Sequence, residues 1–181
     1  MAGKPVNRIP IVGVIGSGSR KHAERSRAVG KWLAKENFHL LTGGGGGVME
    51  AVSRAFHSVK KRKGLVIGII PGDPSDPGLA SRAGYPNPWV EIPVFTHLPL
   101  SGDMGMEPMS RNHINILTSD VIIALPGSSG TASEATLALC YRRPIVAYLD
   151  SRDMIPGLPD GIRIESDLER VKEFVRSHLP F

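Results

Sequence analysis

With 181 residues and 41% hydrophobic content, the chain is long enough for one domain with a full core and needs neither metal nor disulfide staples. The formal charge is +5, but the basic residues are spread along the sequence and only Lys60-Lys61-Arg62-Lys63 forms a run. That run reads as the solvated end of a helix stopped by Gly64, so nucleic acid is not an expected partner. The single cysteine, Cys140, excludes an internal disulfide and, between Leu139 and Tyr141 in a helical pattern, is expected to be a buried core thiol. No signal peptide precedes the first strand and no apolar run reaches the roughly 18 residues of a membrane span, so the cytoplasm is the expected compartment.

In chain order the pattern alternates strand and helix. Ile9 to Ile15 predicts a strand, followed by the turn Gly16-Ser17-Gly18-Ser19 and a helix from Lys21 to Glu36 with Ala23, Val29, Trp32 and Leu33 inward. Phe38 to Leu41 is the second strand, and the five glycines Gly43 to Gly47 open a helix running to Lys61. Leu65 to Ile70 is unbroken apolar sequence, as a strand covered on both faces requires. Proline and glycine then crowd residues Pro71 to Pro88, an excursion expected near the functional site because the alternation resumes after it. Trp89 to Phe95, Val121 to Leu125 and Ile145 to Leu149 read as strands. Met109 to Leu117, Ala132 to Tyr141 and Asp167 to His178 read as helices.

This rhythm predicts an α/β fold: one doubly wound, mostly parallel Rossmann-like sheet with helices on both faces and no second domain over residues 1–181. Ligands of such sheets lie beyond the carboxyl ends of the strands, where the strand order reverses. The turns at 16–19, 43–47 and 126–131 all follow strands, so they are expected to share that edge and one crevice. Glycine lets the backbone approach a phosphate closely, and the free amides and partial positive charge of a helix N-terminus attract it. The expected ligand contacts are therefore Gly16, Ser17, Gly18, Gly43, Gly44, Gly45, Gly46, Gly47, Gly127, Ser128, Ser129, Gly130 and Thr131. For the first turn, tight packing explains the glycines equally well. Five in a row exceed what packing ordinarily needs, which predicts a ligand in the space they leave.

Several familiar chemistries lack their residues. The first turn misses the third glycine of the dinucleotide fingerprint, and the second strand ends without a ribose-binding carboxylate, which disfavours a nicotinamide dehydrogenase. No glycine is followed at Walker spacing by Gly-Lys-Ser or Gly-Lys-Thr, so an ATPase is disfavoured too. His97 and His113 have no partners at metal-ligand spacing, and no metal is expected.

Residues Thr42 to Met49, Val121 to Thr131 and Glu134 resemble the Rossmann-like superfamily that contains the Lonely Guy phosphoribohydrolases, the molybdenum cofactor carrier proteins and proteins once labelled lysine decarboxylases, also called the SLOG superfamily. The hydrolase signature Pro-Gly-Gly-x-Gly-Thr-x-x-Glu is met by Pro126, Gly127, Gly130, Thr131 and Glu134, with Ser128 in place of its second glycine. The family's arginine falls at Arg111, followed here by Asn112 where the hydrolases carry lysine. Residues Gly13 to Gly18 and Met109 to Asn112 look closer to the carrier branch. A decarboxylase is not expected, since no lysine lies between Lys63 and Lys172 to form a Schiff base.

The resemblance leaves two readings. In one, the chain is a carrier or storage protein for an anionic phosphate-bearing small molecule resembling molybdenum cofactor, and needs no cofactor of its own. In the other, it hydrolyses the N-glycosidic bond of a nucleoside monophosphate. Glu134 would then steady the ribosyl cation and position water while Arg111 holds the phosphate or the leaving base. Both residues are ligand contacts in either reading. Thr131-Ala132-Ser133-Glu134 also reads as a capping box, which needs no catalysis. The resemblance, with the apolar Ile114, Leu117, Leu137 and Leu139, implies a homodimer or homotetramer.

Overall fold

A computed structural model describes residues 8–73, 75 and 82–179. Seven strands form a single sheet: β1 (Ile11–Ile15), β2 (His39–Thr42), β3 (Val66–Ile70), β4 (Ile92–Phe95), β5 (Val121–Ala124), β6 (Ile145–Tyr148) and β7 (Arg163–Glu165). Five helices connect or flank them: α1 (Ala23–Lys35), α2 (Val48–His57), α3 (Asn112–Thr118), α4 (Ser129–Cys140) and α5 (Leu168–His178). The spatial order is β4-β3-β2-β1-β5-β6-β7, and every neighbouring pair is parallel. The order reverses between β1 and β5, which places the crevice of a doubly wound sheet at the carboxyl ends of those two strands.

Strand alternation divides the core in two. Val12, Val14, Val121 and Ile123 point to one face and pack with Val29 and Leu33 of α1, Phe56 of α2 and Val171 and Val175 of α5. Ile15, Ile122 and Ala124 point to the other face, against Ile116 of α3 and Ala135 and Ala138 of α4. The amphipathic α5 starts where Asp167 accepts a hydrogen bond from the Glu169 amide at 2.9 Å, an ordinary N-cap.

Several boundaries differ from the sequence expectation, each for a local reason. In α1 the inward place expected for Ala23 belongs to Ser26, fully buried with its hydroxyl on Lys21 O at 2.6 Å, while Ala23 is exposed. Helix α2 ends at His57, so the basic run 60–63 is not a helix terminus; it lies in the link to β3, where Arg62 pairs with Glu91 at 2.9 Å and donates to Gly64 O. Gly64 itself is needed for close passage, since a Cβ there would fall 1.7 Å from Phe38 O. Strand β4 is shorter than expected and forms the sheet edge with all four residues exposed. The strand β7 was not legible because three residues are too short a run for alternation to register. Cys140 is exposed, not buried, because Ala135, Leu137 and Ala138 supply the inner face of α4 and leave Leu139, Cys140 and Tyr141 on its outer end. Of the excursion from 71 to 88, residues 74 and 76–81 lie outside the described residues.

Candidate functional site

The three glycine-bearing turns converge as their positions after β1, β2 and β5 demand. They are stitched together by backbone: Ser17 N donates to Pro126 O at 3.0 Å, and Val48 N donates to Ser17 O at 2.8 Å. Between them and the segment leading into α3 lies a cavity of about 330 Å³. Among the expected residues, Gly16, Gly18 and Gly43 line it from the first two turns, and Ser128, Gly130 and Thr131 from the third; Arg111 and Glu134 complete the wall.

Ser17, Gly44, Gly45, Gly46, Gly47, Gly127 and Ser129 do not line this cavity, and the pentaglycine turn shows how closely its glycines are packed. A Cβ at Gly43 would lie 2.0 Å from Arg111 Nη1, one at Gly44 2.4 Å from Ile70 Cδ1, and one at Gly45 2.7 Å from the Tyr85 ring. Gly47, at φ +60°, would place a Cβ 2.2 Å from Ser17 O. At Gly43, Gly44, Gly45 and Gly47 the space a side chain would need is thus taken by the protein itself, which accounts for these four glycines by packing. Carbonyls of the turn are clamped as well: Asn87 N donates to Gly44 O at 2.7 Å and its side chain to Gly45 O at 3.0 Å. The part of the excursion around Tyr85 and Asn87 does return to the site.

Arg111 is the N-cap residue of α3 and is only 4% exposed. Its Nη1 donates to Gly43 O and to Ile69 O, each at 2.7 Å, and its guanidinium lies 5.6 Å from the Tyr85 ring centroid. It therefore straps the ends of β2 and β3 to α3, a stronger commitment than the phosphate-holding role alone would give. Arg111 Nε and Asn115 Oδ1, beside the wall, are buried without a hydrogen-bond partner. Burial works against the guanidinium's charge, with Glu134 and Tyr85 opposing that effect.

Glu134 sits half-buried one turn into α4, its Oε1 accepting from Asn115 Nδ2 at 3.1 Å. Burial pushes its carboxyl above the usual carboxylate range, against the opposing pull of Arg111 and Asn115. The capping box is absent. Helix α4 begins at Ser129, two residues before Thr131, and Ser128, its N-cap, makes no side-chain cap. Thr131 is inside the first turn and buried, its hydroxyl packed where a Gly127 Cβ would lie, 2.0 Å away. That contact explains Gly127 as a packing glycine.

The helix ends at the crevice share a property. Neither α1, α2 nor α4 has a side-chain hydrogen bond at its N-cap, whereas α5 at the far end of the sheet does. First-turn amides left this way suit an anion. Ser129, expected as a contact, instead gives its hydroxyl to Asp103 of the 3-10 turn Gly102–Met104. That turn, with Ser101 and Gly102 on the cavity wall, was missed in the sequence, as were Tyr85 and Asn87. Asn115 was discoverable, because it stands four residues after Arg111 on the same helical face. His113 is structural, bonded to Tyr141 Oη at 2.7 Å and Glu107 O at 2.9 Å.

Sheet order, switch point and glycine turns define a Rossmann-like domain. Residues 9–171 match the SLOG cluster4 family, and the chain belongs to that family. An uncharacterized protein of Archaeoglobus fulgidus is 33% identical over 130 residues, 71% of this chain and 72% of that protein. Among solved structures, the molybdenum cofactor binding protein from the phototrophic bacterium Rippkaea orientalis is 32% identical and covers 94% of this chain and 98% of its own, with a TM-score of 0.73. The Moco carrier protein from Chlamydomonas reinhardtii is 27% identical, covering 94% and 99%, with a TM-score of 0.64.

Proposed function

We propose that the chain is a carrier or storage protein for an anionic, phosphate-bearing small molecule of the molybdenum cofactor type, working in the cytoplasm. The observation that carries this reading is the state of the two residues hydrolysis would use. Arg111 is built into the wall through Gly43 O and Ile69 O, and burial disfavours the ionised Glu134 carboxylate that a ribosyl cation would need. What is left for a ligand is a binding surface: the uncapped start of α4, the Ser128 hydroxyl and the field of a buried guanidinium. The similarity to the molybdenum cofactor binding protein from Rippkaea orientalis and the Moco carrier protein from Chlamydomonas reinhardtii supports the choice of ligand. The hydrolase alternative keeps one point in its favour, that Arg111 and Glu134 line the same cavity.

Purified protein mixed with molybdenum cofactor freed from a molybdoenzyme and passed over a gel-filtration column should carry molybdenum with it at near one atom per chain. Molybdenum eluting wholly apart from the protein would refute the proposed ligand.

The reading includes a homo-oligomer. Leu117 and Leu139 are 44% and 39% exposed, and Met104, at the end of the 3-10 turn, and Met106 and Met109, between that turn and α3, are exposed as well. A second copy is the proposed cover for this face. Light scattering at micromolar concentration should return a multiple of the chain mass; a single-chain mass would exclude it.

A further inference from the structure

A second cavity, of about 460 Å³, opens on the β6 side of the same turns, with Ser17 and Gly127 on one wall and Asp153 and Pro156, from the loop after β6, on the other. Ser19 and Ser128 line both cavities. The two spaces are thus divided by a saddle that bears two hydroxyls and is held by the Ser17 N to Pro126 O hydrogen bond. Each has the volume of a small-ligand pocket.

The second cavity carries polar and ionisable side chains that the fold does not use. Among the described residues, the side chains of Arg20, His22 and Asp153 make no hydrogen bond or ion pair, although all three line it. Most ionised groups nearby are paired, such as Arg25 with Asp150 at 2.6 Å and Lys21 with Glu50 at 3.5 Å. His22 is also held at φ 38°, ψ 56°, a left-handed conformation that costs a non-glycine residue free energy, and it caps nothing at the start of α1. Such a conformation persists only where the surrounding structure holds it in place.

We infer that the crevice binds a two-ended ligand, a dinucleotide or similarly conjugated phosphate, rather than a single monophosphate. One end enters the first cavity, the phosphoryl linkage crosses the Ser19–Ser128 saddle, and the second end enters the second cavity. There Arg20 and His22 meet phosphate oxygens, and Asp153 accepts hydrogen bonds from sugar hydroxyls. This inference rests on the reading of the crevice as a site for phosphate-bearing anions. It adds Arg20, His22 and Asp153 to the residues that select the ligand.

Titration calorimetry with AMP and with diadenosine diphosphate separates the two levels. The parent protein should bind the dinucleotide about tenfold or more tighter than AMP, as one added charge-assisted contact would give. The double variant Arg20→Gln/His22→Asn, in which asparagine still tolerates the left-handed backbone, should lose that advantage and keep its AMP affinity. Asp153→Ala should reduce the advantage in the same way. Equal affinities for the two probes in the parent overturn the inference and leave the anion-site reading standing, as does an unchanged advantage in the double variant. A parent that binds neither probe but carries molybdenum cofactor through gel filtration overturns the inference and leaves the carrier reading standing; one that holds neither the probes nor the cofactor contradicts both.

Discussion

Arg111→Met should lower the free energy of unfolding by about 3–5 kcal/mol and abolish ligand binding with it. Methionine follows much of the arginine's path but leaves Gly43 O and Ile69 O, both bonded to Nη1 at 2.7 Å, without a donor in the interior. Each orphaned carbonyl costs about 1–3 kcal/mol, and the turn behind the cavity wall loses the strap that fixes it. The desolvation of a buried guanidinium offsets part of this, which is why the loss stays within that range. Arg111→Lys should recover little, because an ammonium cannot reproduce the planar fork that also lies against Tyr85. Urea denaturation decides the matter. A variant within about 1 kcal/mol of the parent would mean that Arg111 is poised for the ligand and not part of the framework.

Gly47→Ala carries the second large effect, a loss of about 3 kcal/mol from backbone strain and overpacking combined. Gly47 has φ +60° and ψ −128°, and its added Cβ would meet the backbone of the first turn at Ser17 O, Gly18 C and Ser19 N, all within 2.8 Å. Backbone cannot step aside as a side chain can. Gly18→Ala is the matched control: the nearest atom to its Cβ is Met49 Cε at 3.9 Å, and the residue lines the cavity. It should leave the melting temperature within a degree or two of the parent and weaken ligand binding alone. Equal destabilisation in the two variants would show that the glycines are not divided between framework and site in this way.

That division was the part of the site least legible in the sequence. The sheet could be read because its strands are short apolar runs separated by helices of regular period, and the crevice could be placed because the glycine turns all follow strands. The depth of each glycine could not, since Gly43 and Gly18 look alike in sequence and differ through partners 68 residues away at Arg111 and 31 residues away at Met49. The capping box failed for a related reason. Thr131 and Glu134 have the correct spacing, but α4 starts earlier, at Ser129, where Gly127 and Ser128 allow the chain to turn. Tyr85 and Asn87 lie in a proline-rich stretch without periodicity, so nothing local marked them as neighbours of Gly44 and Gly45.

Glu134 holds the most direct test of the central claim, that the crevice carries its ligand without cleaving it. Burial raises the pKa of this carboxyl, so its contribution to stability is full below the unfolded value and is lost as pH rises through the folded one. At pH 7 the neutral Glu134→Gln variant should therefore be at least as stable as the parent, with the difference closing under acid. The decisive measurement is release of free base from AMP and cytokinin monophosphates, followed by chromatography for the parent and for Glu134→Gln, alongside anion affinity. The expected result is no base released by the parent and retained or tighter anion binding in the variant. Release of adenine by the parent that disappears in Glu134→Gln, while nucleotide binding persists, would contradict the carrier and establish the hydrolase.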